Sequence, residues 1–161
     1  MAGGSEETTQ IDAPLGLHAA KVDEKGRLKL PTDFQQFFAK LGVTEFFVTS
    51  LDRHIASIYT LPGWRQAEAF LENYPADPET ADDVLFNAAD LGGQAALDNQ
   101  GRLLVPTELR RELGIENQPV RLKAVGARID VLSDQMYEER KQRARTAGSA
   151  AVTALRKAGL K

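Results

Sequence analysis

The stretch Asp23–Thr32, DEKGRLKLPT, returns at Asp98–Thr107 as DNQGRLLVPT. Asp, Gly, Arg, Leu, Pro and Thr recur in register, six matches in ten positions, which makes a duplicated structural unit the first inference. The likeness runs outward from there. Val22 and Leu97 precede the two motifs, Phe34 and Leu109 follow them, and Leu41-Gly42-Val43 is echoed by Leu113-Gly114-Ile115 after a three-residue shift.

The residue types inside the motif predict a turn, a strand and a helix in that order. Gly26 and Gly101 sit where a tight turn needs positive φ, and an Asp before each turn suits it. Leu28-Lys29-Leu30 alternates with period two, as a half-buried strand does, whereas Leu103-Leu104-Val105 is apolar throughout and predicts burial on both faces. Pro31 and Pro106 end the ladders, and Thr32 and Thr107 are expected as helix N-caps, with Gln35 completing a capping box in the first copy. Phe34, Phe37, Phe38 and Leu41 fall at helical spacing before Gly42; Leu109, Leu113 and Gly114 repeat this in shorter form.

A second β-rich stretch follows each helix, Glu45 to Thr60 and Val120 to Ser133, with hairpin turns expected at Asp52-Arg53-His54 and Gly126-Ala127-Arg128. Each unit is therefore hairpin, helix, hairpin. A unit of about 50 residues hardly closes a core alone, so the two copies are expected to pack on each other as an intramolecular pseudo-dimer. The connector, residues 61–90, predicts a helix bringing Trp64, Ala67, Leu71 and Tyr74 to one side, a break near Pro75 and Pro78, and a second helix from Thr80. From Glu72 through Asp98 it carries acids and no Lys or Arg, a face that should avoid phosphate. The C-terminal part, residues 134–161, predicts a helix from Asp134 to Ala144 and then a mobile, basic, Ala-rich tail. The organisation expected is a flexible leader over residues 1–13, a first module over 14–60, the acidic helical connector over 61–90, a second module over 91–133, and the C-terminal helix and tail.

Composition narrows the function classes. The 161 residues carry a net charge of −3, so any nucleic-acid contact must come from local patches rather than overall charge. Cysteine is absent, which removes disulfides and thiolate chemistry, and no segment approaches the roughly 20 apolar residues of a membrane helix. The expectation is a soluble intracellular protein without a signal peptide in Met1–Gln10. Enzyme chemistry finds little support: His18 and His54 lie in different segments without a Ser or Asp partner set. Asp77, Glu79, Asp82 and Asp83 lack calcium-loop spacing, and no Gly-rich run ends in Lys-Ser/Thr. Gly92-Gly93 reads as a bend and the Phe stripe as core. The expectation is a non-enzyme without metal, cofactor or small-molecule substrate.

With both motifs on the page, the chain resembles the MraZ family, whose members carry two AbrB-type swapped-hairpin modules marked by Asp-x-x-x-Arg. Asp23 with Arg27 and Asp98 with Arg102 match that motif, and Leu97-Asp98-x-x-Gly101-Arg102 meets its longer form in full, while the first copy has Val22 in place of Leu. Gly16 and His18 match the family's glycine-led first strand, and Tyr59 to Trp64 its Tyr-x-x-x-x-Trp helix entry. The resemblance spans roughly residues 15 to 145. It departs in the polar leader, in Asp82, Asp83, Asn87 and Asp90 where relatives tend to place basic residues, and in Asp130-Val131-Leu132 where many close on Glu-Ile-Trp.

The resemblance implies an α+β fold with the two modules packed as a pseudo-dimeric barrel flanked by helices. It implies a cytoplasmic, nucleoid-associated transcriptional regulator of the division and cell-wall gene cluster, binding short promoter repeats in double-stranded DNA as a ring-shaped homo-oligomer. Arg27 and Arg102 are carried over as DNA-contacting residues, with Lys21, Lys25 and Lys29 adding charge beside Arg27, and Arg110, Arg111, Arg121 and Lys123 beside Arg102. Asp23, Gly26, Asp98 and Gly101 are the structural residues of the motif. The residues alone leave open whether each Arg meets DNA or simply pairs with its Asp to hold the hairpin. Two further readings stand beside the regulator: an AbrB-like antitoxin or general regulator, and a ring-forming assembly protein that has lost DNA binding.

Overall fold

The computed structural model describes residues 11–161; the leader and signal-peptide expectations for Met1–Gln10 lie outside them. The chain is α+β. The first copy comprises β1 (Leu17–Lys21), β2 (Arg27–Lys29), α1 (Thr32–Leu41), β3 (Glu45–Thr49), β4 (Ala56–Thr60) and α2 (Leu61–Glu72). After α3 (Pro78–Leu91) the order repeats as β5 (Gly93–Ala96), β6 (Arg102–Leu104), α4 (Thr107–Leu113), β7 (Pro119–Val125), β8 (Arg128–Ser133) and α5 (Asp134–Lys157).

Strand pairing joins the copies rather than separating them. β1 pairs with β7 of the second copy, and β5 pairs with β3 of the first, so each copy's first strand lies against the other copy's hairpin. β4 and β8 then meet at the middle, Ile58 opposite Ile129. The result is a six-stranded antiparallel sheet of order β1-β7-β8-β4-β3-β5. A separate two-stranded ribbon forms from β2 and β6, with Arg27 opposite Leu104, Leu28 opposite Leu103 and Lys29 opposite Arg102. The pseudo-dimeric barrel expected from the resemblance is not closed. The large sheet ends at β1 and β5, and the chain leaving each of those edges turns at Gly26 or Gly101 into a strand whose ladder partner is its own counterpart.

One core serves both halves. Leu28, Leu30, Phe34 and Phe38 of the first copy share it with Leu103, Leu109, Ile115 and Leu122 of the second, all at or near zero exposure. Burial of such side chains contributes on the order of 1.5–3 kcal/mol each. The helix starts differ from expectation: Pro31 and Pro106, not the threonines, stand at the N-cap, and neither helix has a side-chain cap. Proline offers no side-chain acceptor, and its fixed φ carries the extended strand directly into the first helical turn. Gln35 forms no capping box either; its amide donates to the carbonyl of Leu30 at 2.6 Å. The helix stops are as read, with Gly42 and Gly114 left-handed at φ 71° and 65°.

Three smaller corrections concern Leu104, α3 and the tail. Leu104 is 56% exposed rather than buried on both faces, because a two-stranded ribbon has only one face against the core. The second connector helix begins at Pro78, two residues before Thr80, since Asp77 supplies the cap by accepting from the Thr80 backbone N–H and from its hydroxyl. The C-terminal stretch is helical to Lys157, interrupted at Gly148 with φ 52° and ψ −151°. Among the described residues no helix is long and apolar enough to cross a membrane.

Candidate nucleic-acid interface

The ribbon's inner face is Leu28 and Leu103, both fully buried. Side chains alternate across a strand, so the neighbours on either side point the other way. The outer face therefore carries Arg27, Lys29, Arg102 and Leu104 together: three cations and one exposed leucine, contributed by both copies.

Each ribbon strand leaves a turn locked by its aspartate. The Asp23 Oδ1 accepts the backbone N–H groups of Lys25 at 2.9 Å and Arg27 at 2.8 Å, while its Oδ2 accepts Arg27 Nε at 3.2 Å. The second copy repeats this: Asp98 Oδ1 takes the N–H of Gln100 at 2.8 Å and of Arg102 at 2.9 Å, and Oδ2 takes Arg102 Nε at 2.7 Å. The backbone N–H of Arg27, foremost, holds the Asp23 carboxyl below its usual 3.8, and that of Arg102 does the same for Asp98. Partial desolvation opposes the shift in both. Both carboxylates are consequently ionised at neutral pH, and the lock persists there.

The two turns also lean on each other's helices. The carbonyl of Gly26 accepts Val105 N–H at 2.8 Å, and that of Gly101 accepts Leu30 N–H at 2.9 Å. Gly26 has φ 86° and its missing Cβ would fall on the Arg110 guanidinium; Gly101 has φ 74° and its missing Cβ would fall on the Gln35 amide. Arg110 in turn donates to the carbonyl of Val105, as Gln35 does to that of Leu30. Gln35 and Arg110 are thus equivalent positions, 75 residues apart like the motifs themselves, and each secures the opposite copy's turn. Sequence reasoning gave neither this role, although the constant offset pointed to it.

Of the expected site residues, the structure brings Arg27, Lys29 and Arg102 onto one face and leaves Lys25 exposed on the adjoining turn. Lys21 ends β1 opposite Pro119, and the antiparallel bridge from Val22 to Leu28 brings it, exposed, into register with Lys29 at the ribbon's edge. The cations assigned beside Arg102 are elsewhere. Arg110 packs over Gly26, Arg111 pairs with Glu108 and Glu116, and Arg121 lies over the Tyr137 ring at 4.3 Å. Lys123 stands opposite Leu17 on β7. Strand register decides the placement of Arg121 and Lys123, and the packing of α4 that of Arg110 and Arg111; the motif spacing conveyed neither. Arg53 is a further residue the sequence did not mark. From the β3–β4 turn it bonds Asn87 at 2.7 Å, Asp90 at 2.8 Å and Glu112 at 3.3 Å, tying the connector to the second copy's helix.

Comparison with known proteins bears on the same elements. A family model described as "MraZ protein, putative antitoxin-like" matches residues 92–157, the second copy and α5. A protein named Transcriptional regulator MraZ from Acidobacterium capsulatum is 36% identical over 105 residues, which cover 65% of this chain and 72% of that protein. Its namesake from Koribacter versatilis is 34% identical over 105 residues, 64% of this chain and 71% of that one. The one from Desulfitobacterium hafniense is 29% identical over 147 residues, 91% of this chain and 99% of that protein.

Proposed function

This chain belongs to the MraZ family, and we propose that it is a transcriptional regulator whose β2–β6 ribbon enters the major groove of double-stranded DNA. The observation that carries this reading is that Asp23 and Asp98 engage only the Nε edge of their arginines, leaving both Nη groups of Arg27 and Arg102 with no hydrogen bond or ion pair among the described residues. A guanidinium so held is aimed outward in advance, at little entropic cost, and keeps the two-pronged edge that matches a phosphate or the O6/N7 edge of guanine. The structural and functional roles of the pair are therefore compatible: the carboxylate orients, and the free edge reads.

The major groove, about 12 Å wide, admits a two-stranded ribbon. Lys29 would add a phosphate contact at one end, and Leu104 an apolar surface suited to a thymine methyl at the other. In this reading residues 14–60 and 91–133 act as AbrB-like swapped-hairpin modules, with residues 61–90 as a connector turned away from phosphate and residues 134–161 as a C-terminal arm. The finer parts of the reading are short promoter repeats of the division and cell-wall genes as target, a ring of identical chains as the active form, and residence in the cytoplasm with the nucleoid.

Fluorescence anisotropy with a duplex from upstream of the chain's own gene tests it. Binding should be tight at low salt and be abolished by Arg27→Ala with Arg102→Ala. Absence of binding at low salt would overturn the DNA reading and favour an assembly protein without DNA contact. The family description "antitoxin-like" favours a second reading, an AbrB-like antitoxin. Binding to the promoter of an adjacent toxin gene in preference to division-gene DNA would select it.

A further inference from the structure

The duplication makes α2 and α5 counterparts. Each begins directly after the second strand of its hairpin, with Thr60 and Ser133 as N-caps whose hydroxyls accept a backbone N–H three residues on. Trp64 and Tyr137 are each the fourth residue of their helix. Trp64 stacks on Phe47 of β3 at 4.8 Å; Tyr137 receives Arg121 of β7 at 4.3 Å. From there the halves part. In the first, α3 closes over the site, with Ala88 fully buried against Tyr59 and Trp64. In the second, nothing among the described residues closes it. The segment that precedes β1, as α3 precedes β5, runs instead along α1, where Ile11 and Pro14 line a groove with Phe37.

What remains is an open cleft between the start of β1 and α5. Leu17, 48% exposed, and the apolar flanks of Tyr137 and Ala144 line it, with Lys123 and Arg140 among its charged residues. Among the described residues neither Lys123 nor Arg140 has an ion-pair partner. Lys141, also lining it, is paired with Glu138. The one carboxylate in the lining, Asp130, is committed to Arg128 at 2.9 Å and to the Ser57 hydroxyl at 3.0 Å. The cleft is thus apolar and cationic.

The complement lies at the far end of the sheet order. Phe86 on α3 is 64% exposed, and Asp82 and Asp83 stand about one turn before it, exposed and without ion-pair partners among the described residues. Asp90, one turn after, is held by Arg53. No Lys or Arg occurs between Arg65 and Arg102. We infer that the cleft beside α5 is the docking surface for the acidic, Phe86-bearing face of α3 from a second copy of this chain. An incoming α3 would there supply the cover that the chain's own α3 supplies in the first half. Because the two surfaces are different patches of one chain, the contact is head-to-tail, and every copy offers one of each, as a ring or an open filament requires. This deepens the self-assembly part of the proposed function and does not depend on DNA binding.

The test uses full-length chain at about 50 µM in light scattering coupled to gel filtration. One variant, Phe86→Ser with Asp83→Ser, removes the donor face; another, Leu17→Ser with Arg140→Ser, removes the cleft. All four side chains are at the surface, so unchanged circular dichroism melts are expected to show intact folds. Wild type should be a multiple of 17.6 kDa and each variant a single chain. An equimolar mixture of the two variants retains one intact surface on each partner, so it should give a pair that grows no further. A single-chain wild type, variants of undiminished mass, or a mixture that stays monomeric or regains the full assembly would overturn the inference. Arg27→Ala with Arg102→Ala, run alongside, should lose DNA binding at unchanged mass, so failure of the DNA reading is seen separately.

Discussion

Leu104→Lys should steepen the salt dependence of DNA binding by one phosphate contact. The position is the second copy's equivalent of Lys29, lies opposite Arg27 on the outer face, and is 56% exposed. Three ribbon cations, each neutralising one phosphate, give log K against log salt a slope of about −2.7; a fourth makes it about −3.6. Between about 50 and 200 mM salt the wild type then loses about 40-fold in affinity and the variant about 150-fold. The cost to the fold is small, a like-charge pairing with Arg27 of about 0.2–1 kcal/mol. Anisotropy titrations at four salt concentrations measure both slopes, and Phe70→Lys, which adds the same charge at an exposed site on α2, serves as control. Where several ribbons of an assembly engage one duplex, both slopes scale together and their ratio holds. An unchanged slope for Leu104→Lys, or an equal change for Phe70→Lys, would refute the placement of DNA against this face.

Three further outcomes follow from the same geometry. Leu103→Ala, at zero exposure, should cost about 2–5 kcal/mol in urea unfolding, whereas Leu104→Ala should stay within about 0.5 kcal/mol; similar costs would mean the ribbon is not one-sided. Gly26→Ala must adopt φ 86° and displace Arg110, while Gly126→Ala meets only a positive φ of 61° in open space, so the first should lose more than the roughly 1–2 kcal/mol of left-handed strain and the second no more than that. The turn locks should respond to acid only. Folding lowers both Asp pKa values below 3.8, so their stabilisation is complete above that value and fades as pH falls through the lowered folded values. The urea midpoint gap between wild type and Asp23→Asn with Asp98→Asn should stay level from about pH 7 to 5 and narrow below about 4; a gap that grows in acid would reverse the sign.

The repeat carried most of the fold because it constrains two places at once. Gly26 and Gly101 were readable as left-handed turns, and Gly42 and Gly114 as helix stops, since backbone geometry of this kind leaves one residue type with little competition. What the residues could not convey was partner choice. That β1 crosses to β7 and β5 to β3 depends on which arrangement buries Leu28 and Leu103 against each other, a property of the assembled core and not of any local stretch. The same blindness misplaced Arg110 and Arg121. Both were expected beside Arg102, yet Arg110 is occupied holding a turn of the opposite copy, and Arg121 lies over the Tyr137 ring. The threonine caps failed for a different reason: a proline one residue earlier already meets the geometric demand of the helix start, so the hydroxyl is not needed.

Duplication within one chain also frees the two halves to diverge in ways that two identical subunits cannot. A homodimer of modules would carry the same residue at both ends of the ribbon; here Lys29 faces Leu104 across the pseudo-symmetry, and Lys25 corresponds to Gln100. One end pairs Lys29 with Arg102 beside the Gln100 turn, the other pairs Leu104 with Arg27 beside the Lys25 turn, and each end draws on both copies. A ribbon of that kind has a direction, and a directional reader prefers a direct repeat to a palindrome, because successive copies related by a head-to-tail contact present their ends in the same order. The cleft beside α5, open among the described residues, and the acidic face on α3 are the same divergence seen away from DNA: the first half has a covering helix, and the described residues of the second have none.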